Sequence, residues 1–362
     1  MKFWRDRVGY KEAILVTGAT GFIGGWLVET IQLSGFAYVR AGIKSWLGAA
    51  RLSRFPVEIV PCDVLDKRQI AQAMSGISCV IHCATGTSNV IIQGTRNVLD
   101  AAQECGVKRV VYLSSTEVYG NVSGDVDEAA PYQYTGRSYG DSKIEAEKLC
   151  WEYHKKGLAI TIIRPSAVYG PFSKDWTVRI TRSLQSGNWG RFQGIGDGVC
   201  NLIYIADLVS GVLLATQNQR AIGEAFNLSG PDLLCWNDYF QMFNSALGLP
   251  ELRVIRPKHV RLRTCLLEPT RIVAKFVLAH FEDSLKLISQ RIHPARVTMK
   301  FAETTLKTSL RAEDLPFFSR DAKYLTTKAR NSLGYKPRFD IATGLKLTVL
   351  WLNHVGLINR PA

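Results

Sequence analysis

Tyr139 and Lys143 stand four residues apart in SYGDSKIEAEKL. On a helix that spacing puts both side chains on one face. A free phenol ionises near ~10 and is a poor base at neutral pH. An ammonium beside it stabilises the phenolate, and the pair can then pass a proton to or from an alcohol or ketone oxygen. Ser115 lies 24 residues upstream in LSSTEVYG and can hydrogen-bond the same oxygen. Glu117, two residues further on, is either an extra base that removes a proton beside a ketone or a local hydrogen-bond acceptor at a strand end.

A second constellation opens the chain. In AILVTGATGFIGGWLVETI, an apolar run leads into Gly18, Gly21 and Gly24 and then into a helix-period pattern. Gly18 permits a tight turn, Gly21 a close approach of the backbone to a pyrophosphate, and Gly24 close packing of helix on strand. Bare amides at such a helix start hold the anion, aided by the helix dipole. The chemistry implied is hydride exchange with a dinucleotide, coupled to a proton at Tyr139.

Positioning these groups requires a particular scaffold. Ala13–Val16, Tyr38–Ile43, Val57–Pro61, Cys79–His82, Arg109–Ser114 and Ala159–Arg164 read as strands. Leu27–Leu33, Lys67–Ser75, Gly94–Cys105 and Tyr139–Lys156 read as helices between or after them. Strands alternating with helices imply right-handed crossovers and a parallel sheet. Composition shifts after Gly170-Pro171, returns to helix at Ile203–Thr216 and to strand at Glu224–Leu228, and then changes for good. The expected organisation is an α/β doubly wound parallel sheet from 1–175 with 203–230. A smaller, mostly helical and basic domain, expected to bind substrate, comprises 176–202 with 231–362.

These motifs resemble the extended short-chain dehydrogenase/reductase superfamily. TGATGFIG is similar to its nucleotide loop. In order there follow Cys62-Asp63-Val64, His82-Cys83-Ala84, LSSTEVYG, Tyr139-x-x-x-Lys143, RPSAVYGP at 164–171, NLIYIADL at 201–208 and, more weakly, KARNSLGYKP at 328–337. The resemblance implies a Rossmann fold and a catalytic set of Ser115, Tyr139 and Lys143, with Lys143 also on the nicotinamide ribose. It implies a cofactor cradle of Gly18, Thr20, Gly21, Phe22, Ile23 and Gly24, with Asp63 and Val64 at the adenine. His82, Ala84, Pro165 and Val168 complete it. Glu117 approximates the additional base of the nucleotide-sugar dehydratases and decarboxylases. A homodimer through helices 94–105 and 139–156 is also implied, the second carrying Ile144 and Leu149, with Trp151 and Tyr153 near its end.

The second strand ends in VRAGIKSW, with no acid between Val39 and Ala50 to accept from a ribose 2′-hydroxyl. Lys44 and Arg51 suit a 2′-phosphate instead, so NADP is expected ahead of NAD. Nucleotide-sugar relatives usually carry an asparagine and an arginine where this chain has Ala167 and Cys200. Each missing charged hydrogen bond to a diphosphate forfeits about 1.5–3 kcal/mol. Asn201, Arg164-Pro165 and the LGYKP tail resemble the 3β-hydroxysteroid-dehydrogenase and dihydroflavonol-reductase branches. The expected activity is thus an NAD(P)-dependent interconversion of an alcohol and a ketone on a lipophilic or semi-polar molecule. The alternative is a nucleotide-sugar epimerase or dehydratase.

Of the 362 residues, 46% are hydrophobic and 21% charged, which excludes a disordered or collagen-like chain. Eight scattered cysteines with no CxxC pair fit reduced thiols and argue against a metal site. No run of 18 apolar residues exists and the first residues are charged, so a cytoplasmic protein is expected. The net charge is +14 and sits almost wholly at the C-terminal end. Residues 1–250 hold 24 Lys and Arg against 22 Asp and Glu, whereas residues 251–362 hold 21 against 9. With the amphipathic, basic pattern of 270–292, that asymmetry points to peripheral membrane contact through 251–311 or to a solvated surface. Charge alone is no reason to expect nucleic acid.

Overall fold

The computed structural model describes residues 12–260, 262 and 314–358, and they fall into two compact units. Of the described residues, the first comprises 12–168, 201–231 and 323–340, and the second 169–200, 232–260, 262, 314–322 and 341–358.

The first unit is built on seven parallel strands: β1 (Ala13–Thr17), β2 (Tyr38–Ile43), β3 (Glu58–Pro61), β4 (Cys79–His82), β5 (Arg109–Leu113), β6 (Ile160–Pro165) and β7 (Ala225–Leu228). Their order is β7-β6-β5-β4-β1-β2-β3. Crossovers run outward in both directions from the β1/β4 pair, so a crevice opens there beyond the carboxyl ends of the strands. β1, β4, β5, β6 and β7 are buried at every position, which is why their sequences are mostly apolar and do not alternate with polar residues.

Helices cover both faces: α1 (Phe22–Ser34), α2 (Lys67–Met74), α3 (Ser88–Glu104), α4 (Ser138–Lys155) and α5 (Ile205–Gln217). α1 stops at Gly35, which takes the left-handed conformation at φ 64°. α2 starts at Asp66, whose carboxylate accepts from the amides of Arg68 and Gln69. One core joins β1, β4, β5 and β6 to α2, α3 and α4 through Leu15, Ile70, Val80, Val98, Val110, Ile162 and neighbours.

Ile144, Leu149 and Tyr153, named above for a paired helix face, are buried inside this unit instead. α4 packs on β5, β6 and α3 over so wide an arc that its outer stripe is polar: Asp141, Glu145, Lys148 and Glu152. Lys148 bridges to Glu145 at 3.1 Å.

Residues 323–340, which the sequence pattern placed with the second domain, pack on the first unit. The backbone amides of Arg338 and Phe339 donate to the Asp207 carboxylate at 2.9 and 3.0 Å. The Tyr335 hydroxyl donates to the Ser229 carbonyl at 3.0 Å. These anchors explain why LGYKP follows α7 (Thr327–Leu333) as a fixed clip rather than a tail.

The second unit is organised by aromatic side chains around α6 (Trp236–Ala246). Trp189, Phe192, Trp236, Phe240 and Phe318 are all buried, and Trp176 stacks on Trp236 with centroids 5.2 Å apart. Val199–Cys200 pairs antiparallel with Leu234–Cys235, and α8 (Ile341–His354) belongs to the same unit. The 270–292 pattern, and residues 261 and 263–311 of the 251–311 segment expected to meet a membrane, lie outside the described residues. Among the described residues no helix is long and apolar enough to cross a membrane, and no group of His, Cys, Asp and Glu could hold a metal ion.

Candidate active site

β1 ends where the glycine turn begins. Gly18 has φ 66°, a conformation that side-chain-bearing residues avoid. A methyl group on Gly24 would stand 2.3 Å from the Gly18 carbonyl oxygen, so the helix can seat itself on the turn only with glycine there. Gly21 caps α1 with no side-chain hydrogen bond, and the first turn carries no acid. The helix start therefore offers bare amides to an anion, and the cradle fits a dinucleotide pyrophosphate. Phe22 and Ile23 are half-buried in that turn, and Thr20 packs against Gly48, whose added methyl would meet it at 3.0 Å. Ala84 closes the far side, its backbone 2.9 Å from where a Gly18 methyl would be.

His82, at the end of β4, was expected beside the cofactor. Both of its ring nitrogens are occupied: Nδ1 shares a 2.7 Å hydrogen bond with Thr17 and Nε2 a 3.1 Å bond with Thr95. Burial and, secondarily, the Lys143 ammonium hold its pKa down at about 3. The imidazole is a neutral strut between β1, β4 and α3.

At the ends of β2 and β3, Asp63 accepts from the Leu65 amide at 3.1 Å, and Val64 is buried with its carbonyl held by Asn97 at 3.0 Å. Lys44 stands 3.5 Å from the Asp63 carboxylate and is exposed. Arg51 is elsewhere. Its guanidinium makes a two-pronged pair with Glu29 of α1 at 2.8 and 2.6 Å, and Arg54 adds a third bond to the same carboxylate at 2.8 Å. The sequence expectation that Arg51 faces a 2′-phosphate is therefore corrected: a carboxylate 22 residues upstream holds it.

The side chains expected to react gather on α4 and the end of β5. Lys143 is 3% exposed and donates to the Leu113 carbonyl at 2.6 Å and to the Tyr112 hydroxyl at 3.2 Å. Burial lowers its pKa from 10.5 to about 8, against the opposing pull of Cys83, Glu147 and Cys150. It lies 5.9 Å from the centre of the Tyr139 ring, whereas Tyr139 is 45% exposed and open to a substrate. Ser115 begins a short 3₁₀ turn and accepts from the Glu117 amide at 3.2 Å. That turn packs tightly on α4, for a methyl on Gly140 would sit 2.9 Å from the Glu117 carbonyl oxygen. Glu117 itself faces Arg137 at 3.9 Å. Pro165 ends β6 and Val168 follows in the next short strand, both buried.

Sequence reading missed Glu147, which is fully buried one turn beyond Lys143. Arg164 meets it through Nε at 3.0 Å and Nη2 at 2.6 Å, and Ser114 and Tyr132 donate their hydroxyls to the same carboxylate. The signal was available: a charge inside ITIIRP requires an opposite charge nearby.

A model of the NAD dependent epimerase/dehydratase family matches residues 14–229. A 3β-hydroxysteroid-dehydrogenase/decarboxylase isoform 1 of Arabidopsis thaliana is 25% identical across 96% of this chain and 81% of its own. An Escherichia coli O157:H7 N-acetyl-α-D-glucosaminyl-diphospho-ditrans,octacis-undecaprenol 4-epimerase is 31% identical across 61% of this chain and 68% of its own. Among solved structures, the UDP-glucuronic acid 4-epimerase of Bacillus cereus in complex with NAD shares the fold, with TM-score 0.70 and 20% identity. The match covers 96% of this chain and 98% of that one.

Proposed function

The chain belongs to the NAD dependent epimerase/dehydratase family, and from that premise we propose that it interconverts an alcohol and a ketone on a lipophilic or semi-polar molecule. The observation that carries this reading is the placement of Lys143, buried and tied to Leu113, behind a Tyr139 ring that is open to solvent. Ser115 hydrogen-bonds the substrate oxygen, and Tyr139 delivers or removes the proton at that same atom. Lys143 holds a positive charge behind the phenol and eases its ionisation. A nicotinamide dinucleotide, when bound, supplies the hydride acceptor or donor. The glycine turn, with Asp63 and Val64, would hold its pyrophosphate and adenine ends, and Lys143 its nicotinamide ribose.

The choice of lipophilic substrate rests on Ala167 and Cys200, which offer a diphosphate no charged donor. The end-to-end likeness to a hydroxysteroid dehydrogenase/decarboxylase supports it. The preference for NADP now rests on Lys44 alone, since Arg51 is committed to Glu29. The second reading, epimerisation or dehydration of a diphosphate-linked sugar, is favoured by the likeness to the 4-epimerase and by Glu117 beside the reacting turn. Incubation with NAD or NADP and either a 3-hydroxysteroid or UDP-sugars separates the two. Net accumulation of reduced cofactor with the steroid supports the first. Sugar isomerisation without net reduction supports the second and overturns the first.

A further inference from the structure

We propose that Glu147, with Arg164 as its counter-charge, is a positioning residue that sets the spacing between Ser115 and the Tyr139–Lys143 pair. The inference rests on the reading of those three residues as the reacting set.

The argument begins with α4. Tyr139, Lys143 and Glu147 follow one another at intervals of four, so all three lie along one face of the helix. The end of β5 is tied to that face twice. Leu113 accepts from Lys143 at 2.6 Å, and the next residue, Ser114, donates its hydroxyl to Glu147. Ser115 comes immediately after. The distance from Ser115 to α4 is thus fixed by two hydrogen bonds, one of which ends on Glu147.

The other two ties extend this control to neighbouring elements. Arg164 fastens the same carboxylate to β6, and its Nη1 donates to the Tyr119 hydroxyl at 2.8 Å and the Glu128 carbonyl at 3.2 Å. Tyr119 belongs to the turn that Ser115 begins, and its hydroxyl donates to Asn227 of β7 at 2.7 Å. Tyr132 donates to Glu147 at 2.8 Å and accepts from the Trp151 indole at 3.0 Å. The pair therefore sits at the point where α4, β5, β6 and the serine turn meet. Being fully buried, it needs both of its charges.

Charge is the second means of control. Lys143 is faced by Tyr112 from β5, by His82 and Cys83 at and beyond the end of β4, and by Tyr139, Glu147 and Cys150 from its own helix. Glu147 is the one carboxylate in that set. Without it, Arg164 is a bare positive charge behind Lys143 that disfavours the ammonium, and the charge that the phenol meets changes.

A cavity of about 360 Å³ is lined by Glu128, Tyr132, Trp151, Arg164, Glu224 and Lys328. It is wide enough for a formate ion, which makes chemical rescue a test.

The measurement is the ultraviolet tyrosinate titration of the full chain, with the Tyr139 component taken as the difference from Tyr139→Phe. It needs no substrate, so it is separable from failure of the proposed reaction. In Glu147→Gln the Tyr139 ionisation is expected to move away from its wild-type midpoint, and in Ser114→Ala, which keeps both charges, by less. Glu147→Ala should titrate like Glu147→Gln and return towards wild type in sodium formate but not in sodium chloride. NADH binding by fluorescence checks that each variant is folded, and Ser114→Ala with the circular dichroism melt serves if Glu147 variants fail that check. A Tyr139 titration that overlays on wild type in every folded variant overturns the proposal. So does rescue by chloride as effective as by formate.

Discussion

Arg51 meets Glu29 beside β1 and β2, and Arg164 meets Glu147 between β5, β6 and α4. Both are two-pronged pairs with their shortest contact at 2.6 Å, yet they differ in what surrounds them. The first is 12% exposed on both sides and shares its carboxylate with Arg54, which is largely in water. The second is almost wholly buried, and every remaining acceptor position on Glu147 is taken by a hydroxyl. A cation near a ligand crevice is thus no guide to the ligand until the nearest carboxylate has been found. Arg51 looks like a phosphate ligand in the sequence and is a brace in the structure. Arg164 looks like a strand residue and is wired to the reacting helix.

The sharpest way to break this contrast is to remove one partner from each pair. Glu147→Ala should lower the unfolding free energy by about 3–5 kcal/mol because Arg164 is left charged and buried. Arg51→Ala should cost only about 1–2 kcal/mol, since Glu29 keeps Arg54 and reaches water. Urea denaturation measures both, and equal losses would erase the distinction.

Lys143 offers a contrast in pH. Its pKa is near 8 in the folded chain and 10.5 otherwise, so between those values the unfolded chain holds a proton that the folded chain has released. Stability contributed at this site therefore rises with pH across that window. Buried cysteines with raised pKa values act in the opposite sense at the upper end of the same range, so Lys143→Met should lose stability with rising pH more steeply than wild type, whereas Lys44→Met should follow wild type. Denaturation midpoints at a series of pH values decide it.

The smallest expected effect concerns Lys44. With Arg51 committed, Lys44→Ala should weaken NADPH binding by about three- to tenfold, more at low salt than at high, and leave NADH unchanged. Equal loss for both cofactors would remove Lys44 from the 2′-phosphate.

Much of this molecule could be read from spacing. The glycine turn, the seven strands and the Tyr139/Lys143 face follow from rules that act over a few residues, and the structure places them where those rules say. What escaped had long-range causes. Glu29 and Arg51 are 22 residues apart, Glu147 and Arg164 are 17 apart across a strand, and Asp207 captures the 338–339 backbone from 131 residues away. Ile144 and Leu149 were read as a surface for a second copy because apolar residues on an amphipathic helix do not say which neighbour covers them. The proposal of Ser115, Tyr139 and Lys143 needed no such partner, which is why it could be made from spacing whereas Glu147 could not.

The central claim is that Tyr139 carries the proton while the fold of unit one holds the cofactor without it. Tyr139→Phe keeps the ring and removes only the hydroxyl. Steady-state turnover on whichever substrate gives net cofactor reduction should fall by about 10²- to 10⁴-fold, while the NADPH dissociation constant stays within twofold of wild type. Turnover within tenfold of wild type, with cofactor binding intact, would contradict the account.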